Sequence, residues 1–509
     1  MTLHAVTSLA ELGENSLNRF EVAGRPVLLV RRADRLQAYQ ADCPHAGAPL
    51  EEGCLYQDKL ICPWHKAAFE LEQGQVCEPP ALTALQRYAV SLIEGEVWVD
   101  DQPLAQPPTA AGDDRRCFVV VGAGAAGAAA VATLRGKGYA GRLLLLDQEQ
   151  SAGYDRTALS KFVIAGQMAA DAVPALLGED FYRDNDVQRI SARVTAIAAD
   201  CQRLQLADGS SIHYDAALLA TGATPKRLAI EGADLAGVLV LRSRADAQRL
   251  ADAARPGKRV VIVGDSFIGL EAASALRTRG LQVHLVARHQ VPLSKQLGER
   301  IGRALRTLHE AHGVIFHTPA EPRRIDGEGR VTGVTLDNGR HIPADLVLLG
   351  AGVAPATGFI SGCQLAEDGS LEVDASMRVR DGLWAAGDMV SFPLQGEPTH
   401  IEHWRLAQQH ARVAAGNMLG ARQSFADVPF FWTYHYGKNI EVLGHAREWN
   451  RIDIEGMPER QDFIALLCVD ERVESVVACG RQAVMALLSQ RMKSPLERGE
   501  ALALIGATG

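Results

Sequence analysis

The hydrophobic pattern changes character along the chain. Over residues 1–103, apolar and polar positions alternate in short runs, as at 25–30 and 92–99, and no sustained helical pattern appears. That period predicts half-buried strands and an all-β N-terminal segment. From residue 117 the apolar positions instead form short continuous runs, at 119–121, 143–146, 216–219, 260–263 and 346–349, with 283–286 broken by His284. Unbroken aliphatic runs read as strands buried on both faces, as in a parallel sheet covered by helices. A stretch from about 426 returns to short strands and ends in a helical pattern, predicting an α+β tail.

Two of the buried strands break into glycine turns. Val119–Val121 runs into Gly122-x-Gly124-x-x-Gly127, then an Ala-rich helix, a second apolar run, and Asp147, twenty residues past Gly127. Strand, turn, helix, strand and terminal acid together form a dinucleotide fingerprint. The helix N-terminus faces a pyrophosphate, and the acid faces a ribose hydroxyl. The pattern repeats at Gly264-x-Ser266-x-x-Gly269, where serine replaces the middle glycine and is small enough for the backbone to approach a pyrophosphate. Two fingerprints imply two dinucleotides. At the end of the second unit's next strand the acid is missing and Arg288 is present, which favours a 2′-phosphate and so NADPH over NADH as the nicotinamide cofactor.

Composition narrows the class. A formal charge of −9 argues against nucleic acid as a partner, and no apolar run reaches the length of a membrane span. The first residues lack a basic region followed by an apolar one, and nine scattered cysteines read as a reducing compartment, so a cytoplasmic location is expected. No cysteine lies between 118 and 200, which excludes a dithiol in the segment after the first fingerprint.

The metal signal lies in the β segment: Cys43-Pro-His45, sixteen intervening residues, then Cys62-Pro-Trp-His65. A Cys₂His₂ set can hold zinc, but zinc fingers usually place both cysteines before both histidines. Here each loop delivers one of each, which suits a [2Fe–2S] cluster with sulfur ligands on one iron and nitrogen ligands on the other.

These loops closely resemble a Rieske domain, and the remainder resembles ferredoxin-reductase-type flavoproteins and apoptosis-inducing-factor-3-like proteins. Ala48 and Trp64 stand where high-potential Rieske proteins carry two further cysteines, so the resemblance is to the ferredoxin type, towards the low end of a span from about −150 to +300 mV. The reductase resemblance rests on Gly153-Tyr-Asp-Arg156-Thr-Ala-Leu-Ser-Lys161, on Ala220-Thr221-Gly222, on the 345–357 segment with Gly352, and on Leu383-Trp-Ala-Ala-Gly387-Asp388. It implies FAD in the first dinucleotide site. Arg156 and Asp388 would contact FAD, Lys161 would lie by the isoalloxazine ring, and Glu271 near nicotinamide and flavin. Trp404 and Trp432 either flank the ring or belong to the core.

The fold expected is α/β with an N-terminal all-β Rieske domain, two Rossmann-like dinucleotide-binding domains in a glutathione-reductase-like arrangement, and a C-terminal α+β domain. The expected boundaries are 1–103 for the Rieske domain, 104–114 for a linker, 115–245 and 358–425 for the FAD-binding domain, 246–357 for the NAD(P)H-binding domain, and 426–509 for the tail. The expected function is an NAD(P)H oxidoreductase passing electrons through FAD to the [2Fe–2S] cluster and on to an acceptor, with an electron-carrying redox protein as partner and a homodimer admitted. Two alternatives stay open: a quinone or small-molecule reductase with a structural Rieske domain, and an NAD(P)H-sensing interaction protein.

Overall fold

The computed structural model describes residues 2–33, 35–105, 112 and 114–508. Most of the expected 104–114 linker, residues 106–111 and 113, lies outside them.

The N-terminal part is all β. A six-stranded antiparallel sheet runs in the order Leu3–Ser8, Glu96–Pro103, Arg87–Ile93, Arg35–Gln40, Arg25–Arg32, Ser16–Val22. A four-stranded antiparallel sheet runs from Cys54–Tyr56 to Val76–Glu78. Strand Arg25–Arg32 is not half-buried as alternation predicts, because Val27 to Val30 are all buried. Its pleat feeds two cores. Val27 and Leu29 join Leu12, Val97 and Val99 on one face. Leu28 and Val30 join Cys43, Leu50, Cys62 and Phe69 on the other. Each such side chain contributes roughly 1.5–3 kcal/mol by burial, so this strand anchors the loops carrying Cys43 and Cys62.

Two parallel sheets follow. The first orders Val187–Ser191, Arg142–Asp147, Cys117–Val121, Ala216–Leu219 and Leu383–Ala385, with Arg378–Arg380 antiparallel at the edge. The second orders Val238–Leu239, Leu346–Leu349, Arg259–Val263, Gln282–Val286 and Ile315–His317. An antiparallel pair, Ala223–Pro225 with Val353–Pro355, joins the two regions. Helix Ala125–Gly136 packs on helix Trp404–Met418, and small residues are fully buried on both: Ala128, Ala129 and Ala130 on one, Ala411, Ala414 and Ala415 on the other. The Ala-rich pattern therefore serves close approach between helices. The tail is a five-stranded antiparallel sheet from Phe430–His435 to Asp462–Val469 and Arg472–Cys479, followed by two helices, Gln482–Arg491 and Arg498–Thr508. Among the described residues no helix is long and apolar enough to cross a membrane.

Buried ion pairs hold the β part against the rest. Arg405 is 1 % exposed and donates to Glu78 (2.8 Å), to the Lys66 carbonyl (3.0 Å) and to the Pro79 carbonyl (2.8 Å). Glu78 also receives Gln490 (3.0 Å) and Lys493 (2.6 Å). Burial alone would raise the Glu78 carboxyl; Arg405 and Lys493 outweigh it and hold the group below the usual carboxylate range. Lys66, with no exposed surface, donates to Glu441 at 2.9 Å. Breaking a buried pair leaves an uncompensated charge, so Glu78→Ala is expected to cost about 3–5 kcal/mol. Urea unfolding checks this, and an unchanged unfolding free energy would show that Glu78 contributes nothing.

Candidate redox site

The glycine turn is shaped by contact. Gly127 opens the helix beneath Gly122, and a Cβ on it would lie 1.8 Å from the Gly122 carbonyl oxygen. A Cβ on Gly124 would meet nothing within 4 Å. Gly127, the third glycine, is demanded by helix–strand packing, and Gly124, the second, leaves open space where a pyrophosphate can approach. Asp147 accepts from the Ala123 N–H at 2.6 Å and the Glu149 N–H at 2.8 Å. Burial nevertheless raises its carboxyl, with those N–H groups pulling it back down.

The turn lies on the wall of a cavity of about 880 Å³. That cavity gathers Gly122, Gly124, Asp147, Arg156, Lys161, Ala220, Thr221, Gly222, Glu271, Gly387, Asp388, Trp404 and Trp432, drawn from six distant stretches of chain. Gly127 lies under the turn, and Gly264, Ser266, Gly269, Arg288 and Gly352 do not line the cavity. The second fingerprint reaches it through Phe267 and Ile268.

Several expected residues have partners that no spacing predicted. Arg156 is ion-paired with Glu149 at 2.6 Å and donates to the Arg242 carbonyl at 3.1 Å. Asp388 is paired at 2.8 Å with Arg242, which also lines the cavity and stands 146 residues away in sequence. Ser266 caps its helix, its hydroxyl accepting from the Gly269 N–H at 3.2 Å. Arg288 is largely exposed and pairs with Glu321 at 2.8 Å, so an acid absent from the end of its strand is supplied from elsewhere in the fold. Lys161 sits in a π-helical turn, Leu159–Val163, a geometry frequent at functional sites. That turn brings Ser160 to 2.6 Å and Lys161 to 3.1 Å from Glu271, and both members of the Lys161–Glu271 pair are buried.

The four metal candidates converge next to this cavity. The Cys43 and Cys62 thiols are close enough to shift each other's titration, and the His45 and His65 ring centroids are 4.9 Å apart. The Cys62 thiol is pulled below the ordinary thiol range, first by Cys43, then by the His65 and Trp64 backbone N–H groups. Such donors stabilise a thiolate and tune a cluster bound to it. His65 Nδ1 is buried without a hydrogen-bond partner among the described residues. An orphaned imidazole nitrogen next to paired thiols fits a metal-cluster ligand set. Among the described residues no three His, Cys, Asp or Glu side chains close on a single ion. A thiol pair beside an imidazole pair is instead the division that suits a two-iron cluster with sulfur ligands on one iron and nitrogen ligands on the other.

The His65 ring lies on Trp432, with centroids 4.1 Å apart, and Lys161 Nζ is 6.0 Å from the same indole. The Cys/His loops and the large cavity therefore share one wall.

Comparison with known proteins agrees with this geometry. The profile of the family described as Pyridine nucleotide-disulphide oxidoreductase matches residues 117–411, and that of the Rieske [2Fe-2S] domain matches residues 2–89. The chain is 31 % identical to Apoptosis-inducing factor 3 of Homo sapiens over 514 residues, covering 96 % of this chain and 84 % of the relative. It is 36 % identical over 365 residues to the Biphenyl dioxygenase system ferredoxin–NAD(+) reductase component of Paraburkholderia xenovorans, covering 71 % and 89 %. The crystal structure of the ferredoxin reductase for the CYP199A2 system from Rhodopseudomonas palustris superposes with a TM-score of 0.72 at 27 % identity, covering 78 % of this chain and all of that one.

Gly127→Ala forces the first turn open, so the purified variant is expected to lose most of its flavin. Visible flavin absorbance per protein after desalting measures this; retention of full flavin would show that the turn tolerates the shift.

Proposed function

The chain belongs to the pyridine nucleotide-disulphide oxidoreductase family and is an NAD(P)H-dependent FAD oxidoreductase carrying a Rieske [2Fe–2S] domain, and we propose that its two halves form one electron path from nicotinamide through FAD to the cluster. The contact of His65 with Trp432 carries this reading. Burial lowers the His65 and His45 imidazoles, and both rings are only partly exposed. A cluster held by these rings has its nearest route for electrons through the wall of the FAD cavity. The biphenyl relative is named as a reductase of a ferredoxin; here the [2Fe–2S] carrier is part of the same chain.

FAD supplies the conversion between a two-electron donor and a one-electron acceptor. The protein supplies position and charge. Gly122, Gly124, Asp147, Arg156, Thr221, Gly222, Gly387 and Asp388 are the residues that would hold FAD. The buried Lys161 ammonium, oriented by Glu271 and the Thr157 carbonyl, is placed to stabilise negative charge that develops on reduction. Cys43, His45, Cys62 and His65 would hold the cluster. Lys66 and Arg405 lock the cluster loop against the tail, which keeps the gap short.

Glu321 bears on the choice of nicotinamide. It takes up the charge of Arg288, and a carboxylate beside that cation repels a 2′-phosphate, which favours NADH, while an Arg288 released from Glu321 favours NADPH.

Anaerobic titration with NADH and with NADPH, followed optically and by EPR, tests the path. Bleaching of the flavin followed by a reduced Rieske signal is expected; a cluster that stays silent after flavin reduction overturns the relay. In stopped flow, Trp432→Leu is expected to slow cluster reduction severalfold relative to flavin reduction.

A further inference from the structure

Behind the Lys161–Glu271 pair runs a row of polar side chains that the electron path does not use. Glu271 Oε1 accepts from Thr433 Oγ1 at 2.9 Å and from the Tyr434 N–H at 3.0 Å. Thr433 Oγ1 lies 3.0 Å from His435 Nε2. His435 Nδ1 lies 3.3 Å from His309 Nε2, and His309 Nδ1 lies 3.4 Å from the Tyr436 hydroxyl. Thr433 and His435 are 1 % exposed and His309 has no exposed surface. Tyr436 lines a second cavity of about 350 Å³, which Lys161, Glu271, Ser274 and His312 also line. The His312 ring stacks on Tyr436 at 3.7 Å and is exposed.

Counting donors and acceptors fixes the protons along this row. The Thr433 hydroxyl donates to Glu271, so it must accept from His435 Nε2–H. A neutral His435 then offers Nδ1 as acceptor to His309 Nε2–H, and His309 Nδ1 accepts the Tyr436 O–H. Burial and Lys161 push His435 down to about 3. Burial, then His435 and His312, keep His309 well below the ordinary histidine value, and burial raises Tyr436 against the pull of Arg277. Every member is thus neutral, and each has one donor and one acceptor in line. All four bonds point the same way, towards Glu271.

We propose that Tyr436, His309, His435 and Thr433 form a proton relay between the second cavity and Glu271. The inference rests on the reading that reducing equivalents arrive as hydride and leave as single electrons. NAD(P)H supplies a hydride and solvent one proton to complete the two-electron reduction. When two electrons then leave one at a time to one-electron acceptors, both protons return to solvent, a net release of one per NAD(P)H. Glu271 borders the second cavity at its own edge, and the row gives that traffic a hydrogen-bonded path through groups that stay in place. The resting polarity delivers a proton inward; rotation of the hydroxyls and exchange of the imidazole tautomers reverses it. The four side chains are positioning residues that act through Glu271.

The experiment uses the holoenzyme, NADH and ferricyanide as one-electron acceptor, with a pH indicator in stopped flow. Thr433→Val is expected to slow flavin reoxidation and the accompanying proton release at least about tenfold and to raise the solvent deuterium isotope effect. His435→Ala is expected to do the same and to regain rate with added imidazole. In flavin-free protein, ¹⁵N NMR is expected to show both His309 and His435 as neutral Nε2–H tautomers. Unchanged proton release in Thr433→Val overturns the relay, since the proton then passes directly between Glu271 and the second cavity. A Nδ1–H tautomer at either ring overturns it as well. Because ferricyanide can take electrons without the cluster, a slowed Thr433→Val beside a silent cluster supports the relay while sinking the electron path.

Discussion

Lys66 is the point on which the assembly turns. Its side chain is taken wholly out of water and spent on Glu441, while its carbonyl receives Arg405, whose guanidinium also holds Glu78 and Pro79. A buried ammonium and guanidinium are costly to desolvate and are tolerated only when every donor is met. The loop bearing Cys62 and His65 is therefore held in one place relative to the tail sheet. Hydrophobic contact alone would let that interface slide; charged hydrogen bonds with fixed directions do not. The consequence is the contact of His65 with Trp432, its ring tilted 43° to the indole, which puts the Cys/His loops against the large cavity.

The site's polarity is organised by the same burial. Imidazoles removed from water lose their charged form, so burial lowers His45, His65, His309 and His435 alike, and charge enters the site in pairs: Lys161 with Glu271, Arg156 with Glu149, and Arg242 with Asp388. The family's description names a disulphide, yet the segment after the first fingerprint holds no cysteine, and all the described cysteines are free. A π-helical turn in that segment instead presents Ser160 and Lys161 to Glu271. Redox chemistry here belongs to bound cofactors, and the protein's part is to place charged and polar groups around them.

What the sequence by itself determined was local: the glycine turns, because a carbonyl 1.8 Å from any Cβ at Gly127 admits no other residue; the buried parallel strands, from their unbroken aliphatic runs; and the pairing of one Cys with one His in each metal loop. Each is written within a few residues, where backbone sterics and side-chain spacing act directly. The tertiary structure decided everything that joins distant stretches. Arg242 on Asp388, Glu321 on Arg288, Glu441 on Lys66, and His309 on His435 are separated by 33 to 375 residues. None of those partners carries a motif, because an ion pair or a hydrogen bond depends on where two groups meet in space, and only the folded chain brings them together.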